Sequence, residues 1–437
     1  MAATWRRNFR HMAFAFALCQ ATVTTPIGFA TSLLDPAVGQ IGTGSLMLCS
    51  MLSSLLLGAP VVTALGPKVG LLAAMSLSTA YAVLFAVATL QEPGSLAQWA
   101  TYLTGAVLSG CGAGILWTAQ GTFFADTSAL IAATEETSLA TVTSTLSGEF
   151  ASILLTFEIA VKLSASLLQG SLLQWRISNP LMSLGSMFVL FAMLAGATVA
   201  AMTAVVEPTK PSGARAASGR GGVETLKAAF RLWPSPKIWC LSLTNLTFGF
   251  SAGYMNGFVN RTFASQSPSL GSGSLGTLLA STCLVASVAA SFFGRLSQKY
   301  GKGVVVFLGA TSFAAIPFSI LLCPPSEENG FWGPWLISLY VLQGLGRAVY
   351  ESTNKAVFAD FFPGEQSTGA FANCMMQNAF AFFASFLLQN LLTNKSCLAW
   401  IVLALAALTA PGYAAARSLR GREAVGGAGE ALMGGAR

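Results

Sequence analysis

The sequence predicts an all-α polytopic membrane protein, twelve transmembrane helices in two like-oriented bundles of six. Three observations predict it. The 437 residues are 54% hydrophobic and only 9% charged, against about 25% charged in ordinary soluble proteins, so lipid must be the solvent for most of the surface. Residues 108–126, LSGCGAGILWTAQGTFFAD, and 342–360, LQGLGRAVYESTNKAVFAD, align at a constant offset of 234. They share Leu108/Leu342, Gly110/Gly344, Gly112/Gly346, Phe124/Phe358, Ala125/Ala359 and Asp126/Asp360, with Thr118/Ser352 and Gln120/Asn354 conservative. Half-length copies in so apolar a chain point to a parallel internal repeat with a pathway between its halves. Third, the basic residues segregate to one side of the expected membrane.

Hydropathy marks spans near 12–34, 43–64, 70–90, 99–122, 150–170, 181–203, 238–259, 274–294, 303–323, 333–356, 370–392 and 397–415. Each is near the ~20 residues that cross a hydrocarbon core. Helix is the expected form, because backbone groups in lipid must bond within their own segment. With both termini cytoplasmic, seventeen of the 23 Lys and Arg lie inside and Arg176, Arg261 and Lys395 outside, while Lys162, Arg347 and Lys355 fall in spans. This is the positive-inside pattern, and it accounts for the net charge of +7 without a nucleic-acid partner. The reading is therefore an integral multi-pass protein with 1–206 as the first bundle, 207–237 as a basic cytoplasmic linker, 238–418 as the second bundle and 419–437 as a disordered tail.

The start of the chain, with Arg6, Arg7, Arg10 and His11 before an apolar run, imitates a signal peptide. The run continues to about Leu34 without a small-residue exit, so a retained first helix is expected. Six of the eight cysteines sit in or at the ends of apolar runs, as small hydrophobes do. Cys323 and Cys397 fall near the outer face, but nothing places their Cβ atoms together. There is no CxxC pair and His11 is the one histidine, so no metal site and no cofactor are expected.

The repeat extends beyond these segments. ALGPKVG (64–70) and GRLSQKYGK (294–302) place Gly66 and Gly301 at an offset of 235. Ser147 to Ala151 echoes Thr368 to Ala372 at an offset of 221. The second loop, Gly294, Arg295, Lys299, Gly301 and Lys302, resembles the G-x-x-x-[DR]-x-x-G-[RK] loop of the major facilitator superfamily. Glycine allows the tight turn and the basic residues hold the loop inside. Gln298 and Lys299 replace the acidic residue, which puts a charge-relay role for the loop in doubt.

A narrower resemblance follows. Gly110 to Thr122, GCGAGILWTAQGT, resembles the G-x-G-A-x-x-L-W-T-A-Q-G-x-Y signature of the uncoordinated-93-like family. Gly344-Leu345-Gly346, Ala348-Val349-Tyr350 and Ala370-Phe371-Ala372-Asn373 look like that family's G-L-G-D-A-V-W and A-F-A-N segments, and Phe150 with Phe157-Glu158 like its F-x6-F-Q pattern. The resemblance implies the major facilitator fold. It also implies one of two activities, since some members are linked to potassium channel regulation and some to receptor trafficking.

Arg347 stands where that pattern has Asp, and Glu158 where it has Gln. Charges in a bilayer cost about 2.5–3.5 kcal/mol each and face a cavity or a partner. Glu158 and Lys162 are four apart on one helical face; Arg347, Glu351 and Lys355 form a second stripe. Glu158 and Arg347 share a depth in opposite halves and carry opposite signs, so they are expected to pair across the pathway in one conformation, or else to be satisfied within their own helices. In the superfamily, spans one, four, seven and ten line the cavity. That makes Gln20, Trp117, Gln120, Asn256, Tyr350, Glu351 and Asn354 the candidate wall, against the plainer reading of helix packing and interhelical hydrogen bonds. The repeat glycines serve close helix contact; no strand precedes GCGAG, so it is no nucleotide loop. Of three glycosylation triplets, Asn245 lies in a span, whereas Asn260 and Asn394 face outside.

The preferred function is movement of a small solute or ion by alternating access, with proton or ion coupling at Glu158 or Glu351. The alternative is a non-transporting accessory protein that binds a channel or receptor. No nucleophile–base set supports an enzyme.

Overall fold

The computed structural model describes residues 2–176, 184–208, 227, 229–270, 273–362 and 366–434. Residues 209–226 of the expected linker, with Lys210, Arg215 and Arg220, lie outside the described residues. In chain order the helices are α1 (Ala2–Leu33), α2 (Pro36–Leu56), α3 (Gly58–Leu65), α4 (Pro67–Ala88), α5 (Leu96–Glu135), α6 (Leu139–Arg176) and α7 (Leu184–Thr203) in the first half. The second half has α8 (Pro236–Gly253), a π-helical continuation (Tyr254–Ala264), α9 (Ser274–Tyr300), α10 (Lys302–Leu322), a short 3₁₀ stretch (Glu327–Leu336), α11 (Ile337–Val349), a π turn (Tyr350–Asn354), α12 (Lys355–Phe361), α13 (Gln366–Leu391) and α14 (Ser396–Gly434). No strand occurs among the described residues.

Among the described residues, nine helical stretches are long and apolar enough to cross a bilayer, and Met187–Thr203 is a shorter apolar one. The two remaining expected spans are interrupted: α8 and α11 each run on through a π segment. The chain is an integral, multi-pass membrane protein.

Local chemistry sets the ends. Asp35 caps α2 by accepting from the amides of Ala37 and Val38, with Pro36 at the first helical position. Ser95 caps α5 through the amide of Gln98. Between α3 and α4, and again between α9 and α10, a single glycine makes the whole connection. Gly66 has φ 83° and Gly301 φ 88°, a region that L side chains rarely adopt.

The two halves repeat each other in packing as well as in sequence. In the first, α5 packs on α2 and α4, α1 on α6 and α7, and α4 on α7. In the second, α11 packs on α9 and α10, α8 on α13 and α14, and α10 on α14. The repeat glycines make the same contact twice. A Cβ on Gly110 would stand 2.5 Å from the Leu46 carbonyl of α2, and one on Gly344 would stand 2.8 Å from the Thr282 carbonyl of α9. Gly112 faces α4 and Gly346 faces α10 in the same way. Small residues let these backbones approach closely, which matters where lipid supplies no hydrophobic drive between helices.

The halves meet along α2–α13, α6–α9 and α1 with the π-helical continuation of α8. At the end that carries the termini, ties run within each half: Arg6 to Glu135, Arg10 to Glu149, and Lys302 to Asp360. The linker's last residues are held by α13, where Trp233 Nε1 donates to Asn373 Oδ1 (2.8 Å) and Asn373 donates to the Ala229 carbonyl. All eight cysteines are free thiols, Cys323 and Cys397 included.

One expectation is corrected. The backbone of α14 is helical to Gly434, so the segment from 419, expected to be disordered from its glycines, continues the last helix. Extending an existing helix avoids the cost of nucleation, and Ala, Arg, Glu and Leu between the glycines favour it.

Gly110→Leu and Gly344→Leu should each destabilise the fold by a similar amount, about 1–3 kcal/mol, because each wedges the same backbone contact apart. Thermal unfolding of the two purified variants in detergent checks this; a change in only one would show that the two contacts are not equivalent.

Candidate functional site

A cavity of about 280 Å³ lies between the halves. Its walls come from α1, α2, α4, α5 and α6 on one side and from α8, its π continuation, α9, α11, the π turn that follows it and α13 on the other. Sequence reasoning assigned the wall to the first, fourth, seventh and tenth spans; the second, third, fifth, eighth and eleventh also contribute. Most of the wall is apolar or aromatic, including Leu116, Trp117, Phe248, Met255 and Phe382, and its ionisable groups are Glu158, Lys162, Arg347 and Glu351.

Glu158 of α6 is the centre of the charge network. Arg347 of α11 donates Nη1 to Glu158 Oε1 (3.1 Å) and Nη2 to Oε2 (3.0 Å), a two-pronged pair from one half to the other. Lys162 donates to the same carboxylate at 2.6 Å. Arg347 also donates Nε to Glu351 (3.1 Å) and Nη1 to Cys283 Sγ (3.3 Å). Lys355 stands 3.9 Å from Glu351. Burial grades along this chain: side-chain exposure is 6% at Lys162, 8% at Glu158, 20% at Arg347, 41% at Glu351 and 51% at Lys355. The network thus runs from a dry centre to a wet mouth on the side of the termini. In a low dielectric the fork geometry and the shared carboxylate strengthen one another.

On the side away from the termini the cavity is sealed by bonds between the halves. Asn260 Nδ2 donates to the Gly28 carbonyl (3.0 Å), Tyr340 OH donates to Asn260 Oδ1 (2.6 Å), and Thr31 donates to the Asn256 carbonyl (2.9 Å). Gln40 reaches Gln389 (3.4 Å), and Ser166 of α6 bonds Thr277 of α9 at 2.7 Å and the Gly273 carbonyl. Gly28 makes the approach possible, since a Cβ there would stand 2.6 Å from Leu279. Hydrogen bonds between the halves thus occur both in this seal and at Glu158.

The other expected wall residues divide. Gln20, Trp117, Asn256 and Glu351 line the cavity; Gln120, Tyr350 and Asn354 do not. Tyr350 lies behind the wall, stacked on Phe248 with centroids 4.0 Å apart. Asn354 belongs to a buried polar knot. It donates to Asn245 Oδ1 (2.8 Å), Asn245 donates to Gln377 (2.7 Å), and Cys374 donates to the same Asn245 oxygen. Tyr350 and Asn354, four apart, share a face of this helix that differs from the cavity face of Arg347 and Glu351. Asn260 is corrected as a glycan acceptor: it is fully buried and its amide is consumed by the seal, whereas Asn394 is exposed. Sequence reasoning missed the seal partners Gly28, Thr31, Gln40, Gln389 and Tyr340. The available signal was Asn256 and Asn260, four apart on one helical face. In the loop of Gly294, Arg295, Lys299, Gly301 and Lys302, Arg295 and Lys299 are exposed, and Lys302 pairs with Asp360 at 2.6 Å. No group of three or more His, Cys, Asp or Glu among the described residues is placed to hold a metal.

Comparison with known proteins agrees with this architecture. Residues 241–431 match the model of the Major Facilitator Superfamily. Protein unc-93 homolog A of Bos taurus is 24% identical over 413 residues, 87% of this chain and 86% of its own. The chain is thus similar to the unc-93 homologues along most of its length and to the Major Facilitator Superfamily over its second half. The human unc-93 homolog A matches at 24% over 37% of this chain and 34% of its own. Among solved structures, a mutant of the nucleoside transporter NupG superposes with TM-score 0.67 at 13% identity, covering 94% of this chain and 99% of its own. A D-xylose-proton symporter gives 0.66 at 13%, covering 93% and 96%. At such identities these structures establish the fold of the unc-93-like chain and no more.

Glu158→Leu should destabilise this state by about 3–5 kcal/mol, because it strands Arg347 and Lys162 side by side in a dry site. Arg347→Leu should cost less, since Lys162 still neutralises Glu158. Melting temperatures of the two variants in one detergent decide the order; a reversed order would mean that Glu158 is not the hub.

Proposed function

We propose that this unc-93-like chain moves a small solute or ion across its membrane by alternating access. The observation that carries the reading is the Arg347–Glu158 fork, which joins the two halves across a cavity sealed on one side only. The cavity volume is just below the ~300–1,000 Å³ of pockets for drug-sized ligands, which suits a small solute. With the termini cytoplasmic, as the basic residues indicate, the described state faces inward. The opposite state requires the seal to part and the mouth to close, and two repeat-related bundles rocking about their seam supply that motion. Gln20, Trp117, Asn256 and Glu351 then form the solute wall with the charge network. Glu351, at the wet mouth and shared by Arg347 and Lys355, is the better placed of the two carboxylates to exchange a proton or ion with water. The fold relatives named as a nucleoside transporter and a xylose–proton symporter support the same class of activity.

Protein reconstituted in liposomes and assayed for potassium and pooled-metabolite uptake, with and without a pH gradient, tests the proposal. Saturable flux is expected. Glu158→Arg or Arg347→Glu should each cut it about tenfold or more, since about 1.4 kcal/mol of displaced equilibrium suffices. The double reversal should restore it. An inert protein that co-purifies with a channel or receptor would replace transport by the accessory role.

A further inference from the structure

We infer that the central cavity takes a small amphipathic carboxylate, whose anionic group replaces Glu158 on Arg347 and shares Lys162 with it. The inference rests on the transport reading for its purpose, but not for its chemistry. In the dry part of the network two cations share one carboxylate. Glu351 bonds Arg347 at 3.1 Å but also stands 3.9 Å from Lys355, so the network as a whole carries one net positive charge. Lys162 has three protons to donate. Its one short bond is to Glu158; its second partner, Thr24, is 3.5 Å away. The ammonium therefore keeps donor capacity facing the cavity it lines.

A guanidinium fork matches a planar carboxylate, and here it already holds one. An incoming carboxylate is thus offered the bonds that Glu158 now occupies, and taking them releases the charged tie between the halves. Binding and unlocking become one exchange at the fork: one carboxylate leaves Arg347 as another enters, while Lys162 stays between the two and keeps Glu158 paired. The rest of the solute must suit Trp117, Phe248, Met255 and Phe382, which favours an apolar or aromatic body over a sugar. Chloride or phosphate would leave that wall and most of the 280 Å³ unfilled.

A second observation points the same way. Beyond the seal, a basin of about 420 Å³ shares Gln40 and Gln389 with it. The charged residues lining that basin are Arg261 and Lys395, and no acid lines it. Arg261 makes no hydrogen bond or ion pair among the described residues. The carboxylate within electrostatic reach of it is Asp35, which is engaged in capping α2. The route on both sides of the seal therefore carries excess positive charge, which concentrates anions.

The test is binding, measured as thermal stabilisation of the purified full chain in detergent. The probes are acetate, butyrate, benzoate, benzamide, benzylammonium, chloride and phosphate at equal ionic strength. Benzoate should stabilise most and butyrate more than acetate, with benzamide and benzylammonium inert. Lys162→Gln keeps the Arg347–Glu158 pair and should weaken benzoate about tenfold or more, as loss of one charged hydrogen bond does. Glu158→Gln, which removes the competitor, should bind benzoate at least as tightly as the parent. Equal shifts from benzamide, benzylammonium, chloride or phosphate would overturn the inference. So would no shift from any carboxylate, or an unchanged benzoate shift in Lys162→Gln. Benzoate binding with no flux of any solute would remove transport and leave this inference standing; flux of a neutral solute without carboxylate binding would do the reverse.

Discussion

One carboxylate carries much of this molecule's organisation. Glu158 receives both prongs of Arg347 from the opposite half and the ammonium of Lys162 from its own helix. Burying charge in a bilayer is costly, and leaving one unpaired is costlier still. The two bundles are therefore held at the one relative position where the fork closes. A contact of this kind is strong when dry and easily exchanged when water or another anion reaches it. That combination gives a hinge between halves two stable settings rather than a continuous range.

The remaining contacts between the halves follow a different chemistry. The seal uses neutral groups: Asn260, held by Tyr340 of its own half, against the Gly28 carbonyl, Thr31 against the Asn256 carbonyl, and Gln40 against Gln389. Each neutral bond is worth little net, about 0.5–1.5 kcal/mol, so a set of them can form and part without a large barrier. At the termini the ion pairs stay within each half, Arg6 with Glu135 and Lys302 with Asp360. Ties inside the bodies and exchangeable ties between them are what the proposed rocking motion requires.

The repeat explains why such a seam exists. Gly110 and Gly344 seat their helices on α2 and α9 by the same backbone approach, and Gly66 and Gly301 turn the chain with the same positive φ. The departures from symmetry are where the site lies. The π segments at Tyr254–Ala264 and Tyr350–Asn354 have no counterpart in the first half among the described residues. Around the second of them Tyr350 and Asn354 are buried in the packing, while Arg347 and Glu351 face the cavity.

The sequence by itself determined the solvent of the surface, the helical form, the two related halves and the equal depth of Glu158 and Arg347. Composition, periodicity and spacing are properties of a single chain segment or of a fixed offset, so they can be read without coordinates. Only the tertiary structure decided which faces look at one another. The sequence carries no signal that Asn260 reaches Gly28, 232 positions away, because neither residue is unusual in its own helix. Nor does the spacing of Tyr350, Glu351 and Asn354 reveal which of them enters the cavity, since that depends on how α11 is turned against its neighbours. Length, pattern and charge set the bundles; their relative rotation sets the site.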